Sequence, residues 1–337
     1  MTTSAPLLIP GEGGRTTTVG VAALALSLLR ATQAATVACL PWVGRDDPKS
    51  ADGAAVDALR GGLRRLPGRC RVAIGEGEKD DAPMLYRGEV LGTGAGPSCD
   101  VAVDPLEGTR LCARGQDGAV SVIAAAPPGS LLATPGWYME KLVVGPAATG
   151  AVWLDRPVGD NLTALGRALG KPVRALVVGV QDRPRHQELV AAIRQAGAAV
   201  ALFGDGDVMA SLRVLLPGGD LDALIGIGGA PEGVITACAA RLLGGDMQGR
   251  LAPQSSHERT VLEATGASFG PEGLGTVLGL GDLVAGGDCV FVATAVTGGT
   301  LLSRPRPGPT GVRTSSFVST PDHPCLFVDG HGPLGEH

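Results

Sequence analysis

The chain has 337 residues, 44% of them hydrophobic and only 3% aromatic, with a formal net charge of −5 at neutral pH. The acidic balance and the absence of a long Lys/Arg run exclude a large, sequence-independent contact with nucleic-acid phosphates. Because one core rarely fills a chain of this length, we expect an N-terminal α+β lobe at 17–150, a C-terminal α/β lobe at 151–303 and an irregular tail at 304–337.

The first patterned segment is apolar and superficially resembles a secretory signal, because Arg15 precedes an apolar run and small residues follow it. However, Glu12 lies in what would be the basic region, Arg30 follows the run at once, and the run is too short to span a bilayer. We therefore predict an amphipathic or buried helix in a soluble, cytoplasmic protein without a membrane partner. The odd number of cysteines, seven without CxxC spacing, also fits reduced thiols better than a disulfide framework.

A second helix is predicted at 52–66, where apolar residues recur at helical spacing until Pro67 and Gly68 end the pattern. Asp52 is expected at the N-terminal edge of this helix. Three short buried strands follow, RVAIG, DVAVD and AVSVIAAA. Each leaves polar or glycine-rich residues at its C-terminal end, which is where open α/β sheets collect ligands.

From about residue 150, strands and helices alternate, a pattern that is typical of βαβ units and predicts mainly parallel strands. The predicted strands lie at 175–181, 198–204, 221–228 and 289–296. Helices are predicted at 185–197, from 207, and at 231–243. The tail after 303 is rich in Pro, Gly and His, and only VRTSSFV and CLFV show signs of order.

Acidic residues follow two of the predicted strands, in IGEGEKDDAPMLY and in VAVDPLEGTR. We expect Asp104 to leave its strand, Pro105 to turn the chain, and Glu107 to return to the same cation. Ordinary turn chemistry explains the second stretch alone, but not the repetition of acids one strand earlier. The six carboxylates at 76–81 and 104–107 would repel one another unless cations or separation relieved them.

A glycine-rich turn, GIGGAPEGV, precedes a helix whose first turn contains Pro231 and Glu232. The third glycine of a dinucleotide fingerprint is missing, so a phosphate or metal site at the helix start is the better interpretation. Simple complementation of the helix dipole by Glu232 is the alternative.

Two further strand ends carry charged residues. In DRPRH, Arg183 and Arg185 could hold a phosphate with their guanidinium groups, or be ordinary surface cations. In GDGD, Asp205 and Asp207 could accept hydrogen bonds from sugar hydroxyls, although Asp207 could also be only a helix N-cap.

Seven stretches in order, over about residues 35–255, resemble the class II, GlpX-type fructose-1,6-bisphosphatases of the inositol monophosphatase and fructose bisphosphatase superfamily. They are GRDDPKSADGAAVDALR, IGEGEKDDAPMLYRGEVLGTG, DVAVDPLEGTR, WYMEKLVVGP, DRPRH, GDGDVMASL and GIGGAPEGVITACAARLLGGDMQGRL. The resemblance implies a layered αβαβα sugar-phosphatase fold, dependence on Mg²⁺ or Mn²⁺, and a homodimer or homotetramer.

The same resemblance implies roles for individual residues. The implied metal ligands are Asp52 and Glu76 for one ion and Asp104, Glu107 and Glu232 for the other. Catalysis would involve Thr109, Asp104 and Glu107, with Thr109 helping to position the attacking water and the scissile phosphate. The implied substrate contacts are Gly108, Thr109, Tyr138, Arg183, Pro184, Arg185, Asp205, Gly206, Asp207 and Gly229.

The implied activity is hydrolysis of fructose 1,6-bisphosphate to fructose 6-phosphate and phosphate, by in-line attack of metal-activated water. Three positions depart from the family pattern: Arg183 stands where lysine is usual, Ala295 replaces a glycine, and Thr300 replaces an acid. Two alternatives therefore stay open. One is a paralogue that acts on sedoheptulose 1,7-bisphosphate, an inositol phosphate or a biosynthetic intermediate, and the other is a non-catalytic protein that binds sugar phosphates.

Overall fold

The computed structural model describes residues 8–10, 16–18, 20–75, 85–135, 137–264, 273–309 and 311–332. The strands are β1 (Leu8–Pro10), β2 (Thr16–Thr18), β3 (Arg69–Ile74), β4 (Val90–Leu91), β5 (Ser98–Glu107), β6 (Val120–Ala126), β7 (Tyr138–Val144), β8 (Val177–Gln181), β9 (Ala199–Phe203), β10 (Ala223–Gly229), β11 (Asp246–Leu251), β12 (Val290–Ala295), β13 (Arg306–Gly308), β14 (Gly311–Ser319) and β15 (Leu326–Gly332). The α-helices are α1 (Ala25–Cys39), α2 (Pro48–Arg64), α3 (Thr109–Arg114), α4 (Val158–Leu169), α5 (Gln187–Gln195), α6 (Val208–Leu215), α7 (Ala230–Leu243), α8 (Ser256–Ala264) and α9 (Leu280–Leu283).

A large and a small sheet alternate with three helical layers, and β1 and β2 form a separate two-stranded sheet. The large sheet has the order β13-β14-β12-β6-β5-β3-β4, with β15 paired to β14, and the small sheet has the order β11-β7-β10-β8-β9. Helices α1 and α2 pack on the outer face of the large sheet, α6 and α7 lie between the sheets, and α4 and α5 cover the outer face of the small sheet. The expected αβαβα layering is confirmed.

The apolar N-terminal segment forms a core helix, as predicted. Helix α1 packs against α2 and against strands β6, β12 and β14. Its buried Thr32 Oγ1 lies 2.7 Å from Thr294 Oγ1, which in turn lies 2.9 Å from Ser316 Oγ. Among the described residues, Val21–Trp42 is the one helix long and apolar enough to cross a membrane. Half of its most apolar stretch is buried in the fold. Packing against the large sheet therefore accounts for its apolar side chains.

Helix α2 begins at Pro48, one turn before its predicted start. Asp47 caps it, because its carboxylate accepts a hydrogen bond from the Ser50 N–H at 3.0 Å. Proline is favourable at the first helical position, where its missing N–H removes no helical hydrogen bond. Asp52 consequently lies one turn inside the helix, and its predicted place at the edge is wrong.

Strand β5 continues through the residues that were predicted to turn. Its pairing with β6 shifts between Asp104 and Glu107, so that Pro105 and Leu106 stand opposite a single residue. This is a β-bulge, one of the few places where a strand tolerates a residue without an N–H. The Leu106 N–H instead donates to Asp104 Oδ1 at 3.0 Å. Pro105 therefore bulges the strand and does not turn the chain.

The small sheet confirms the predicted βαβ pattern only in part. Strand β8 pairs in parallel with β9 and β10, whereas β7 pairs antiparallel with both β10 and β11. The chain enters this sheet through β7, before residue 150, and returns to the large sheet through β12. The two sheets therefore do not divide at the predicted lobe boundary.

The tail predicted to be irregular forms three strands, β13, β14 and β15, of which β14 contains VRTSSFV and β15 begins within CLFV. Strand β14 pairs with β12 and extends the large sheet. Its Phe317 ring lies 6.0 Å from the ring of Phe291 and 5.3 Å from that of Phe327. Composition was misleading because several prolines, such as Pro321 and Pro324, lie in the β14–β15 connection.

Truncation of Leu59 tests the packing of α2 on the large sheet. Leu59 is completely buried, so Leu59→Ala is expected to lower the free energy of unfolding by about 2–5 kcal/mol. Leu26 in α1 is 58% exposed, and Leu26→Ala is the matched control with a small expected change. Urea denaturation followed by circular dichroism measures both. Equal losses in the two variants would contradict the layered packing.

Candidate active site

Three carboxylates from different elements meet between the two sheets. Glu107 ends β5, Asp207 immediately precedes α6, and Glu232 lies in the first turn of α7. Glu107 Oε1 accepts a hydrogen bond from the Val208 N–H at 2.8 Å, which ties β5 to the start of α6. Within the described part of the chain, the buried oxygens Glu107 Oε2, Asp207 Oδ1 and Glu232 Oε2 have no hydrogen-bond partner. We call these three residues the carboxylate cluster.

The environment of Glu107 disfavours its charge. Burial raises the pKa of Glu107 well above its ordinary value, and the negative charges of Asp207 and Glu232 raise it further. The hydrogen bond from Val208 and the ammonium group of Lys141 act in the opposite direction. The protein has therefore concentrated negative charge where solvent cannot screen it.

Such a cluster has the donor chemistry of a site for a hard divalent cation. Buried carboxylate oxygens without partners are costly, and divalent cations with a preference for oxygen relieve that cost. Among the residues that the structure describes, no group of three or more His, Cys, Asp or Glu side chains converges tightly enough to form a complete ligand set. Glu76, a predicted ligand, lies outside the described residues together with the other acids of 77–81.

The two remaining predicted ligands, Asp104 and Asp52, lie within β5 and within α2. Asp104 is buried at the bulge, where its Oδ1 accepts the Leu106 N–H. Asp52 lies close to the thiol of Cys39, whose pKa is raised mainly by burial and further by Cys112 and Asp52. Cys112 belongs to α3, so Asp52 faces the region where α1, α2 and α3 approach one another. That Asp52 and Glu76 share one metal ion stays a prediction.

Two predicted substrate contacts, Gly206 and Gly229, let backbone approach these carboxylates. A Cβ at Gly229 would lie 2.0 Å from Glu232 Oε2. A Cβ at Gly206 would lie 3.3 Å from the carboxyl carbon of Glu107, and its φ of 71° is in the left-handed region. Both positions therefore need glycine for a structural reason, whatever they contact in a substrate.

Adding a methyl group at residue 229 is expected to displace Glu232. Gly229→Ala should lower kcat by at least about tenfold, because a shift of about 1 Å in a site residue can have a far larger effect. Gly159→Ala in α4 is the control, since its Cβ would meet only Ala196 Cβ at 3.9 Å. Steady-state kinetics and thermal unfolding of both variants check this. Full activity of Gly229→Ala would show that Glu232 is dispensable at its present position.

The turn after β5 positions a hydroxyl near the carboxylates. Gly108 has φ 80° and ψ 38°, a left-handed conformation that suits glycine, and α3 begins at the next residue. Thr109 Oγ1 donates a hydrogen bond to the Leu106 carbonyl at 2.9 Å, which fixes its rotamer. The predicted catalytic threonine is therefore held by its own strand end and is partly exposed.

Three guanidinium groups gather at the edge of the small sheet. Arg183 Nη2 lies 2.6 Å from Asp205 Oδ1, and Arg110 Nη2 reaches the same oxygen at 3.2 Å. Arg185 lies over the ring of Tyr138, 5.1 Å from its centre, and donates to the Ile227 carbonyl. Burial lowers the pKa of Arg185, and the positive charge of Arg110 lowers it further. We call Arg110, Arg183 and Arg185 the arginine group.

Asp205 and Asp207 have partners that the sequence did not indicate. Asp205 accepts hydrogen bonds from two arginines, so its carboxylate orients them. Asp207 occupies the N-cap position of α6, but its side chain does not cap the helix. Its Oδ2 instead lies 2.6 Å from Nζ of Lys141, a lysine that is completely buried. Pro184 begins the short turn that carries Arg185 from the end of β8.

Sequence reasoning missed Lys141 and Arg110. Lys141 lies in WYMEKLVVGP, where a lysine within an apolar run was the available signal that a charge would be buried. Arg110 directly follows Thr109 in the acidic motif, and nothing in its local spacing indicates a bond to Asp205, 95 residues later.

Comparison with known proteins identifies the family. Residues 22–325 match the family described as bacterial fructose-1,6-bisphosphatase, glpX-encoded. The chain belongs to this family. The matched range includes the carboxylate cluster and the arginine group, so the class II resemblance inferred from the acidic and basic motifs is confirmed.

Curated relatives carry the same family name. The chain is 44% identical over 287 residues to fructose-1,6-bisphosphatase 1 class 2 of Escherichia coli strain K12, which covers 83% of this chain and 85% of that protein. The identity and coverage are the same for fructose-1,6-bisphosphatase class 2 of Shigella flexneri. Members of this glpX-encoded family are thus similar to the chain over nearly its whole length.

Proposed function

We propose that the protein is a phosphoric monoester hydrolase that converts fructose 1,6-bisphosphate and water to fructose 6-phosphate and phosphate. The observation that carries this proposal is the buried carboxylate cluster, whose unpartnered oxygens lie on the elements next to the arginine group. A cation site beside guanidinium groups suits a substrate with two phosphates. The names of the relatives support fructose 1,6-bisphosphate as that substrate.

The cofactor fits the residues present. We assign Asp104, Glu107 and Glu232 to one divalent ion, and Asp52 with Glu76 to a second, with Mg²⁺ or Mn²⁺ as the ions. Carboxylate oxygens are the donors that these hard cations prefer. When bound, such ions activate water and neutralise charge on the attacking and leaving oxygens of a phosphoryl group.

The residues of the chain orient the reaction. Thr109 keeps its hydroxyl at the start of α3, where it positions the attacking water in line with the bond to be broken. Gly108 allows the backbone to come close to the scissile phosphate. Attack of the water oxygen on phosphorus breaks the bond to the oxygen on carbon 1 of the sugar, which leaves with a proton as the sugar hydroxyl. No covalent enzyme intermediate is required.

The arginine group binds the phosphate that does not react. Arg183 and Arg185 supply planar donors that match phosphate oxygens. The ring of Tyr138 stacks against the guanidinium group of Arg185 and orients it. We place the sugar ring between this group and the carboxylate cluster. It would lie next to Gly206, Asp207 and Gly229. Binding both ends of the substrate fixes the reacting phosphate relative to the water.

Phosphate release across a panel of sugar phosphates tests the proposal. The panel contains fructose 1,6-bisphosphate, sedoheptulose 1,7-bisphosphate and an inositol monophosphate, each with Mg²⁺ and with Mn²⁺. We expect fructose 1,6-bisphosphate to give the highest kcat/KM, and Asp104→Asn to lose nearly all of it. Faster release from another substrate would reassign the specificity, and binding without any release would indicate a sugar-phosphate-binding protein.

We also place the enzyme in the cytoplasm as a homodimer or homotetramer. The thiols support the location, because all seven cysteines are free and six of them are buried. The oligomer rests on the class II resemblance, and light scattering of the purified protein measures it.

A further inference from the structure

Lys141 lies on a strand whose two neighbours have glycine opposite it. Lys141 lies in β7, and its directly opposite residues on the two neighbouring strands are both glycines, Gly226 on β10 and Gly249 on β11. Residues opposite one another in an antiparallel pair project to the same face. A Cβ at Gly226 would lie 3.1 Å from the His186 ring, and a Cβ at Gly249 would lie 2.6 Å from Met139 Sδ, so these two glycines make room for those side chains. Lys141 itself is completely buried.

Two more glycines lie against the Lys141 side chain and its partner Asp207. A Cβ at Gly228 would lie 1.9 Å from Asp207 Oδ2 and 3.0 Å from Lys141 Nζ. A Cβ at Gly233 would lie 3.3 Å from Lys141 Cε. Part of the glycine-rich stretch that suggested a phosphate site is therefore required by the ion pair itself.

The ion pair belongs to the carboxylate cluster electrostatically. Lys141 Nζ contacts Asp207 Oδ2 at 2.6 Å, and the next residue after Asp207, Val208, donates its N–H to Glu107 Oε1 at 2.8 Å. Glu232 is the third acid whose charge acts on Glu107. The ammonium group thus contacts one acid of the cluster directly, and the backbone next to that acid holds a second.

We propose that Lys141 is a positioning residue of the phosphatase site, acting as a fixed internal cation. This inference rests on the proposed function. Lys141 holds Asp207 by Oδ2, which keeps Oδ1 available in the cluster. It also limits the negative potential there, so that a phosphate dianion can approach while divalent cations still bind.

A fixed positive charge acts oppositely on the two kinds of ligand. Its removal strengthens the attraction of the cluster for a divalent cation and weakens the binding of a phosphate anion. A purely structural lysine predicts a different result, because a loosened site would bind both ligands more weakly or neither differently.

Lys141→Met in the full chain provides the test. We expect the Mn²⁺ dissociation constant, measured by electron paramagnetic resonance, to fall by about tenfold, and the dissociation constant of inorganic phosphate to rise by about tenfold. The size follows from Coulomb interactions over a few ångströms at the effective dielectric of a protein interior. Lys171→Met is the matched control, because it removes an exposed lysine paired with Asp222 and should change neither constant.

A second pair of variants keeps the test decisive if Lys141→Met does not fold. Asp207→Asn leaves the ammonium group in place and should weaken Mn²⁺ binding by about tenfold. Lys141→Met combined with Asp207→Asn removes both charges of the ion pair and should return the Mn²⁺ constant to within about threefold of the wild type. Lys141→Arg, which keeps the charge, should keep the wild-type order of affinities.

The outcomes separate this inference from the function on which it rests. Wild-type protein that binds Mn²⁺ and releases phosphate, together with Lys141→Met whose two constants are unchanged, would overturn only the role of Lys141. Weaker binding of both ligands would also overturn it, in favour of a structural role. Wild-type protein that binds no Mn²⁺ would overturn both proposals.

Discussion

Glu107→Gln is expected to abolish phosphatase turnover and, at the same time, to stabilise the metal-free fold. Turnover should fall by about a thousandfold or more, because a neutral amide replaces a carboxylate ligand of the ion that activates water. The amide oxygen can still accept the Val208 N–H, so the link between β5 and α6 survives. The amide N–H groups can donate to oxygens of Asp207 or Glu232 that have no partner within the described structure.

The gain in stability follows from the same contacts. Relieving a buried polar group that lacks a partner is worth about 1–3 kcal/mol, which thermal or urea unfolding of the metal-free protein can resolve. Glu140→Gln on β7 is the matched control, since Glu140 is partly exposed and pairs with Arg250. It should keep its activity and lose a little stability. A Glu107→Gln protein that is less stable than the wild type would show that the carboxylate is not strained in the absence of metal.

The sequence predicted those parts of the fold that depend on local patterns. Apolar residues at helical spacing predicted α2, and the alternation of strand and helix segments after residue 150 predicted β8, β9, β10 and α7, with β12 as a late strand. The start of α2 was missed because Asp47 and Pro48 form a cap that precedes the apolar pattern. The bulge at Pro105 was missed because a proline after an aspartate is equally typical of a turn.

Elements whose stability depends on distant partners were harder to predict. Strand β7 lies inside the small sheet, between β11 and β10, yet Glu140 and Lys141 interrupt its apolar run and hide it. Lys141 is tolerated there because Asp207 pairs with its ammonium group and glycines of β10 and α7 leave room for its side chain. Strand β14 showed signs of order in VRTSSFV, but its composition does not indicate that it pairs with β12 in the large sheet.

In the candidate site, too, the features set by local motifs were predicted and those set by distant partners were not. Motif order placed Glu107 and Glu232 in one cation site, and the structure brings their charges together. Asp205 and Asp207 were expected to accept hydrogen bonds from a sugar, or Asp207 to be only an N-cap, because strand-end acids in a turn have no local sign of their partners. Their ion pairs join residues 22 to 95 positions apart, which only the folded chain reveals.

The largest effect on substrate affinity is expected at Arg183. Its guanidinium bonds the Gly204 carbonyl with Nη1 and Asp205 with Nη2, an arrangement that needs a planar fork. Arg183→Met should raise KM for fructose 1,6-bisphosphate by about a hundredfold, the loss of one charge-assisted phosphate contact. Arg183→Lys keeps the charge but cannot hold both partners, so a rise of about tenfold is expected. In both variants kcat should stay within about threefold, because the reacting phosphate lies at the cations.

Fructose 1-phosphate, which lacks the second phosphate, distinguishes this role from a general loss of structure. If Arg183 binds the phosphate that does not react, both variants should hydrolyse fructose 1-phosphate as the wild type does, since that contact is already absent. Arg250→Lys is the matched control. Arg250, on β11, also bridges two carboxylates, those of Glu140 and Asp155. Equal losses with both substrates would place Arg183 at the reacting phosphate, and Asp205 would then orient arginines for catalysis instead of for the choice of a bisphosphate.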